Sequence, residues 1–292
     1  MSHSILMTLD GERHEPDEPF LHADDLAAVR GDGIFETLLV RGGRARCVDL
    51  HLERLTRSAA MLELPEPDVD AWREAIDVAA EQWAADAPRG AEGMLRLVYS
   101  RGRESAAGDG PPTAYLTVGP VADRVTAVRR DGVSVVTLDR GYSIDAAASS
   151  PWQLLGAKTL SYATNMAALR HATAQGFDDV IYLSAEGAVL EGPRSTVVAV
   201  YDKTLVTPPI EAGILPGTTA RATFELAEKE GWGTETRILR TADLIAADSF
   251  WLVSSVTLAA RVTSLNRYAT PVASNTDQFT DLVDRAIGDD SE

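Results

Sequence analysis

Residues 154–197 decide the fold class of the chain, and they read LLGAKTLSYATNMAALRHATAQGFDDVIYLSAEGAVLEGPRSTV. A helix is predicted just after Lys158, and Gly176 is the residue type that commonly follows the end of a helix. Two apolar runs beyond this glycine predict a hairpin, because they flank the turn sequence A-E-G. The second strand of this predicted hairpin ends on an acidic residue, Glu191.

Strands and helices are mixed along the rest of the chain. Short apolar or alternating runs predict strands, among them residues 35–40, 93–100, 113–118, 133–138, 196–201 and 249–254. Apolar residues at helical spacing predict helices at about 49–62, 69–85, 218–230 and 277–287. The elements follow no regular βαβ alternation, so an α+β fold is favoured over a doubly wound parallel sheet.

The periodic pattern weakens between residues 120 and 132, and we expect a domain boundary there. The predicted domains are a smaller N-terminal α+β domain at residues 1–125 and a larger C-terminal α+β domain at residues 126–292. The second of these would carry Lys158.

The charge balance restricts the possible partners. The chain has 292 residues, with 27 Lys and Arg against 44 Asp and Glu, which gives a net charge of −17. Such an acidic surface argues against nucleic acid or an anionic membrane as a partner. A small anionic substrate would therefore have to be bound by locally clustered cations.

Metal and membrane sites are not expected. One cysteine, Cys47, excludes an intramolecular disulfide and a multi-cysteine zinc site, and the five histidines show no metal-ligand spacing. The N-terminal residues lack the pattern of a signal peptide, and no apolar run approaches the ~18 residues of a membrane span. The sequence therefore predicts a soluble cytoplasmic protein.

The functional hypothesis depends on Lys158 and Glu191. A lysine amine can form a Schiff base, and a carboxylate can keep a pyridine nitrogen protonated. An enzyme that uses pyridoxal 5'-phosphate requires such a pair. The alternative for each residue is an ordinary solvated side chain.

Three further segments are candidates for binding a phosphate. L-P-G-T-T at 215–219 precedes a predicted helix, whose first N–H groups and hydroxyls can bind an anion. Arg54 can supply a positive charge, and S-S-V-T at 254–257 can supply donors at a strand end. The alternatives are an ordinary capped helix, a surface arginine and an ordinary strand end.

In this order, the motifs resemble the fold-type IV family of pyridoxal phosphate enzymes. That family includes branched-chain aminotransferases, D-amino acid aminotransferases and 4-amino-4-deoxychorismate lyases. The matching segments cover most of the chain and are G-D-G-I-F-E at 31–36, H-L-E-R-L at 51–55, K-T-L-S-Y at 158–162, E-G at 191–192, L-P-G-T-T at 215–219 and S-S at 254–255. The resemblance implies two α+β domains with the cofactor at the domain interface, and a homodimer.

The resemblance also implies roles for individual residues. Lys158 is the catalytic lysine that binds the cofactor covalently and moves protons, and Glu191 pairs with the pyridine nitrogen. Tyr162 is similar in position to a tyrosine that contacts the phenolic oxygen of the cofactor. The remaining implied cofactor-binding residues, which hold the phosphate partly through backbone N–H groups, are Arg54, Gly217, Thr218, Thr219, Ser255 and Thr257. The chain departs from the family pattern after Glu191, where S-T-V-V at 195–198 replaces a run that contains asparagine.

The choice of reaction depends on the N-terminal half. The G-D-G-I-F-E-T-L and K-T-L-S segments look closer to the lyase and D-amino acid branches of the family. This favours a 4-amino-4-deoxychorismate lyase, which releases 4-aminobenzoate and pyruvate in folate biosynthesis. Thr37 is the candidate for a catalytic hydroxyl that reaches the substrate, and an ordinary strand threonine is its alternative. The substrate-binding candidates are Phe35 and, for a carboxylate, Arg101, followed by Arg96, Arg103 and Arg44.

Two other functions remain open from the sequence. One is an aminotransferase that acts on D-amino acids or branched-chain amino acids. The other is a family member that has lost catalysis and serves as a binding protein. The presence of both Lys158 and Glu191 argues against this last hypothesis.

Overall fold

The computed structural model describes residues 4–106, 110–270, 274 and 276–288. Its described residues form two compact units. The first consists of the residues up to Ala122 together with Ala157–Tyr162, and the second of Asp123–Gly156 and the residues from Ala163 onward.

The first unit is built on an antiparallel sheet of six strands. The strands are β1 (Ile5–Thr8), β2 (Arg13–His14), β3 (Gly33–Arg41), β4 (Arg44–Ala45), β5 (Glu92–Ser100) and β6 (Thr113–Pro120), in the order β2-β1-β6-β5-β3-β4. The helices are α1 (Leu26–Val29), α2 (Val48–Met61) and α3 (Val69–Asp86), and Glu104–Ala106 form a 3-10 turn.

Helices α2 and α3 cover one face of this sheet. Helix α3 buries an apolar stripe at helical spacing, which includes Trp72, Ile76 and Trp83. Side chains alternate between the two faces of a strand, so Ile34, Glu36 and Leu38 of β3 point to the covered face. All three are fully buried, whereas the intervening Phe35 and Thr37 keep partial access to solvent. The open face of the strand is therefore the face that can meet a small molecule.

The second unit contains a mixed sheet of eight strands. The strands are β7 (Val133–Asp139), β8 (Asp179–Leu183), β9 (Thr196–Tyr201), β10 (Thr204–Thr207), β11 (Gly233–Thr236), β12 (Ser249–Ser254), β13 (Leu258–Leu265) and β14 (Tyr268–Ala269). Their order is β11-β10-β9-β12-β13-β7-β8, and β14 pairs with β13. The pairs β10–β11, β13–β7 and β7–β8 are parallel, and the others are antiparallel.

Among the residues that the structure describes, the helices that accompany this sheet are α4 (Asp123–Asp131), α5 (Ala146–Ser149), α6 (Ala163–Ala174), α7 (Thr218–Lys229), α8 (Thr241–Ala246) and α9 (Thr276–Gly288), with 3-10 turns at Pro151–Gln153 and Ile210–Ala212. Helices α7 and α9 pack against each other, and α9 also packs on β13. The ring of Phe279 in α9 lies 4.8 Å, centroid to centroid, from that of Trp251 in β12. The main core contains buried aliphatic side chains from β7, β9, β12 and β13.

The compact units differ from the expected domains, residues 1–125 and 126–292, in the boundary, which lies after Ala122, and in the placement of one segment. Ala157–Tyr162, which includes Lys158, groups with the first unit. The cause is a short antiparallel bridge between Thr159 and Ile34 of β3. Sequence distance gives no indication of this bridge, because the two residues lie far apart in the chain.

Candidate active site

Lys158 is held beside strand β3 of the first unit by its backbone. The Phe35 N–H donates to the Lys158 carbonyl at 3.0 Å, and the Leu160 N–H donates to the Gly33 carbonyl at 2.8 Å. On the other side, the Lys158 N–H donates to the hydroxyl of Ser58 in α2 at 3.2 Å. Backbone contacts therefore set the position of Lys158 without using its side chain.

The side chain of Lys158 lies over an aromatic ring. Its Nζ is 4.4 Å from the centroid of Phe35, and the Phe35 ring meets Tyr162 edge-on at 5.3 Å. Three residues predicted to contact cofactor or substrate are thus grouped on the open side of β3.

Gly33 permits this arrangement. A Cβ at this position would lie 2.7 Å from the Leu160 side chain and 2.8 Å from the Tyr99 carbonyl oxygen. Such distances are too short for any larger residue, so Gly33 allows the segment that carries Lys158 to approach β3.

The chain contains three lysines, and they differ in exposure. Lys203 and Lys229 are exposed, on the β9–β10 turn and at the end of α7, whereas Lys158 is partly buried. Lysines are rarely buried without a reason. The sequence shows that the chain has few lysines, which limits the candidates for the cofactor lysine, but it does not show which of them is partly buried.

Arg54 belongs to a buried cluster on the covered face of β3. Its Nε and Nη2 donate to the two carboxylate oxygens of Glu36, both at 2.7 Å. His51 Nδ1 lies 2.7 Å from Glu36 Oε2. His51, Arg54 and Ser58 lie on one face of α2, so the same helix places both this cluster and the Lys158 backbone.

Burial and charge act in opposite directions on this cluster. Burial raises the pKa of the Glu36 carboxyl, but the charge and hydrogen bonds of Arg54, together with His51, outweigh burial and hold that pKa well below its usual range. Burial lowers the pKa of His51, and the opposing charge of Glu36 does not restore it. We therefore treat Glu36 as charged and His51 as neutral near pH 7, so that the His51 ring N–H donates to Glu36.

Thr37 lies on the open face of the sheet, two residues from Phe35, and Arg96 of β5 is its cross-strand partner. Arg101, the first sequence candidate for a substrate carboxylate, donates instead to Asp32 at 2.7 Å and to the Leu62 and Glu63 carbonyls. These contacts leave it little capacity to bind a substrate.

The other two arginine candidates are also poorly placed. Arg103 donates to Asp24 at 2.9 Å. Arg44 lies on β4, which pairs with the far end of β3, four residues beyond Thr37. Arg96 is exposed and directly opposite Thr37, so it is the best placed of the four.

Glu191 belongs to the second unit and ends the predicted hairpin. The Tyr182 N–H donates to the Glu191 carbonyl at 2.8 Å, and the Leu190 N–H donates to the Tyr182 carbonyl at 2.9 Å. The turn between these residues is the predicted A-E-G turn, although only the first arm is a regular strand. The carboxylate of Glu191 accepts from the Leu215 N–H at 3.0 Å. This bond ties Glu191 to the L-P-G-T-T segment.

The L-P-G-T-T segment leads into helix α7, as predicted. Gly217 is the N-cap residue and has no side chain to accept the N–H groups of the first turn, and Thr218 and Thr219 are buried. A Cβ on Gly217 would lie 2.2 Å from Thr196 Oγ1, so only glycine allows the helix to start this close to β9. The arrangement aims the positive end of a helix dipole and backbone donors at one point.

Ser255 and Thr257 lie in the turn between β12 and β13. Val253, just before this turn, pairs with Thr196 at the start of β9. The turn and the start of α7 are therefore both near the same end of β9, and the predicted second-unit ligands converge there.

Several residues of the site were not singled out from the sequence. Glu36 is a charged residue between apolar residues on the covered face of β3, Ile34 and Leu38, and this break in the pattern is a signal that it is paired. His51 and Ser58 share helical spacing with Arg54. Ser195 carries a buried hydroxyl oxygen for which the described residues supply no hydrogen-bond partner.

The side chains present fit pyridoxal 5'-phosphate. The set contains a partly buried lysine amine, a carboxylate, a helix start with backbone and hydroxyl donors, and an arginine. The buried Ser195 hydroxyl without a protein partner, four residues after Glu191, is a further polar group that a ligand can satisfy. Each unit thus supplies groups of a type that the cofactor requires, Lys158 and Arg54 in the first unit and Glu191 and the start of α7 in the second.

Comparisons with known proteins support this assignment. A family model described as Amino-transferase class IV matches residues 33–265. A bifunctional aminodeoxychorismate lyase / D-amino acid transaminase from Mycobacterium tuberculosis is 54% identical over 293 residues, covering 98% of this chain and all (100%) of the relative.

Two solved structures are similar over nearly the whole chain. The PLP-bound form of a hypothetical aminotransferase from Mycobacterium tuberculosis has a TM-score of 0.95 and 54% identity, covering 99% of this chain and 100% of that one. The fold IV-transaminase CpuTA1 from Curtobacterium pusillum has a TM-score of 0.90 and 40% identity, with coverage of 97% and 98%.

The chain belongs to the class IV aminotransferase family. It has the α+β fold of that family, its cofactor is pyridoxal 5'-phosphate, and it is an enzyme with lyase or transaminase activity. Within the described residues, no helix has the length and apolar character needed to cross a membrane.

Proposed function

We propose that the protein is a 4-amino-4-deoxychorismate lyase that releases 4-aminobenzoate and pyruvate. The observation that carries the proposal is the similarity to a bifunctional lyase and D-amino acid transaminase, 54% identical and covering 98% of this chain. Phe35 and Thr37 lie on one strand and Lys158 lies beside it, which adds a geometric reason, because a base and a hydroxyl can then reach one substrate.

Lys158 is the proposed catalytic base and covalent anchor. The bound cofactor supplies an electron sink for the negative charge that develops when the substrate loses a proton. Lys158 removes this proton from the carbon that carries the substrate amine. In the lyase reaction the enolpyruvyl group then leaves and the ring becomes aromatic. The Thr37 hydroxyl, on the same strand as Phe35, is proposed to contact the substrate.

The remaining proposed cofactor ligands bind three parts of the cofactor, namely the pyridine nitrogen, the phosphate and the phenolic oxygen. Glu191 binds the pyridine nitrogen, and its hydrogen bond with the Leu215 N–H orients the carboxylate. Arg54 and the first turn of α7, with Gly217, Thr218 and Thr219, bind the phosphate. Ser255 and Thr257 add donors, and Tyr162 contacts the phenolic oxygen.

Arg96 is the proposed ligand for a substrate carboxylate, in place of Arg101. It is exposed on the open face opposite Thr37, whereas Arg101 is engaged by Asp32 and two carbonyls. Replacement of Arg96 by glutamine is expected to raise KM more than it lowers kcat, because it removes a binding contact without touching the base. The same change at Arg101 is expected to lower thermal stability instead.

D-Amino acid transamination is the second candidate activity. It is favoured because the name of the 54% identical relative includes both activities. Both reactions start with proton removal by the same lysine, so one site can support both.

Two assays separate the candidates. Purified enzyme is supplied with 4-amino-4-deoxychorismate, and 4-aminobenzoate and pyruvate are measured. In parallel it is supplied with D-alanine and 2-oxoglutarate, and glutamate is measured, with L-alanine as the stereochemical control. Formation of glutamate without any 4-aminobenzoate would overturn the lyase proposal and leave transamination. Absence of all products, with no cofactor absorption band, would point to a binding protein.

The expected homodimer and cytoplasmic location stay predictions. Light scattering coupled to size-exclusion chromatography would test the first, because a monomer of 31.3 kDa and a dimer differ twofold in mass.

A further inference from the structure

We propose that Glu36 and His51 are positioning residues that set the Arg54 guanidinium for the cofactor phosphate. The inference rests on the proposed role of Arg54 as a phosphate ligand. Its starting observation is that Glu36 is fully buried and that, within the described part of the chain, its carboxylate is hydrogen-bonded to these two side chains of α2.

The geometry of the pair restricts Arg54. Its Nε and Nη2 form a two-point contact with the carboxylate of Glu36, with both distances at 2.7 Å. A two-point contact fixes the plane of a guanidinium as well as its position. The Nη1 edge is not part of this contact, so it has a defined direction set by Glu36.

His51 fixes the carboxylate in turn. Its Nδ1 lies 2.7 Å from the same oxygen that Arg54 Nη2 contacts, and both the histidine and the glutamate are almost fully buried. The chain of contacts thus runs from His51 to Glu36 to Arg54. The backbone of Lys158 is held by Ser58 on the same helix face, so α2 supports two of the predicted first-unit ligands of the cofactor, Arg54 and Lys158.

Stability alone is a weak reason for such a cluster. Apolar side chains of similar volume often stabilise a protein as well as a buried ion pair does, because the pair must be desolvated. The neighbouring buried residues Leu38 of β3 and Leu52 and Leu55 of α2 are apolar. A charged cluster at this single point is better explained by a need to hold one cation in a fixed orientation.

A purely electrostatic role and a positioning role of Glu36 predict opposite changes in phosphate affinity when its charge is removed, which makes the proposal testable. A carboxylate beside Arg54 reduces the positive potential available to a phosphate. If Glu36 acted only through its charge, Glu36→Gln would therefore strengthen phosphate binding. If Glu36 positions Arg54, the same variant weakens it.

The experiment compares two ligands in the cofactor-free full-length protein. Dissociation constants are measured by absorbance titration for pyridoxal 5'-phosphate and for pyridoxal, which lacks the phosphate. For Glu36→Gln we expect the dissociation constant of pyridoxal 5'-phosphate to rise roughly 10- to 100-fold, as for other residues that orient a ligand-binding group. That of pyridoxal is expected to stay within about a factor of two.

The chain offers a matched control. Glu92 on β5 pairs with Arg41 of β3 at 2.7 Å, so Glu92→Gln removes a carboxylate from another arginine contact on the same sheet. It is expected to leave both dissociation constants unchanged. His51→Leu is expected to weaken pyridoxal 5'-phosphate selectively, and His51→Asn, which retains a donor, to restore part of the loss.

The outcomes separate this inference from the role of Arg54. If Arg54→Gln fails to discriminate between the two ligands, Arg54 is not the phosphate ligand and the inference falls with it. If Arg54→Gln discriminates but Glu36→Gln binds pyridoxal 5'-phosphate as tightly as the parent or more tightly, only the positioning role is overturned. Equal weakening of both ligands would also overturn it, because that result indicates general damage. Should Glu36→Gln not fold, the two His51 variants decide the question by the same comparison.

Discussion

Replacement of Lys158 by alanine is expected to remove catalysis while leaving the first unit folded. The three hydrogen bonds described above for this segment use main-chain atoms of residues 158 and 160, so alanine retains them. The Lys158 side chain contacts the ring of Phe35, with its Nζ 4.4 Å from the ring centroid. A cation–π contact at a partly exposed site contributes about 0.5–1 kcal/mol. A change of 1 kcal/mol shifts Tm by roughly 2–4 °C in a protein of 150–250 residues, so we expect a shift of no more than about 4 °C.

The effect on activity is expected to be much larger. Loss of a general base alone costs about 10²- to 10⁴-fold in rate, and loss of the covalent anchor adds to this. The visible absorption band of the lysine-bound cofactor is expected to disappear. Thermal unfolding is compared between the cofactor-free forms, because a bound cofactor itself stabilises the folded state.

Borohydride reduction followed by peptide mass mapping identifies the modified lysine. The assignment is unambiguous because the chain has only three lysines. Lys203→Ala is the matched control, since Lys203 also lies over an aromatic ring, with its Nζ 5.8 Å from the centroid of Trp232. It is expected to retain activity and the absorption band. Cofactor found on Lys203 or Lys229, or an active Lys158→Ala variant, would refute the reasoning.

Three further predictions concern other residues of the candidate site in the first and second units. Glu191→Gln keeps an oxygen that can accept the hydrogen bond of the Leu215 N–H, but it loses the negative charge. Because a charge-assisted hydrogen bond contributes about 1.5–3 kcal/mol, kcat should fall roughly 10- to 100-fold. An unchanged kcat would contradict the role of Glu191 at the pyridine nitrogen. Gly33→Ala forces a Cβ to 2.7 Å from the Leu160 side chain, so the free energy of unfolding measured in urea should fall by about 1–3 kcal/mol. Gly288→Ala is the control, because a Cβ at this position meets open space and should leave that free energy unchanged. Equal effects of the two variants would argue against the close approach of the Lys158 segment to β3. The pKa values of Glu36 and His51 are both lowered on folding, so each group contributes stability above its unfolded pKa, which is about 4.3 for Glu36 and about 6.5 for His51. This stability is lost on acidification, and the free energy of unfolding should begin to fall below about pH 6.5. His51→Asn should flatten the first part of this decline.

Local patterns were sufficient for several elements. The helix predicted at 69–85 is Val69–Asp86, and the helix predicted after L-P-G-T-T is Thr218–Lys229. Both have strong local signals, an apolar stripe in one case and a Pro-Gly start with a Gly end in the other. Helix α4 was missed because none of its residues is fully buried, so its sequence carries no apolar stripe.

The arginines show where sequence reasoning reached its limit. Arg101, Arg96 and Arg103 are indistinguishable as isolated cations in the sequence. In the structure Arg101 is paired with Asp32, which lies 69 positions away, and Arg103 with Asp24, 79 positions away. Such pairings depend on strand register and not on local propensity, so only the folded chain shows which arginine remains available.

The sequence by itself determined the cofactor chemistry, because one lysine, one glutamate and a Gly-Thr helix start are recognisable from residue type and order. Tertiary structure alone decided how these residues are supported. The bridge that places Lys158 beside β3 joins segments more than a hundred residues apart, and Glu36 is brought to Arg54 by the packing of α2 on the sheet. The physical reason is that chemistry resides in side-chain type, whereas orientation arises from contacts that form only when distant parts of the chain pack together.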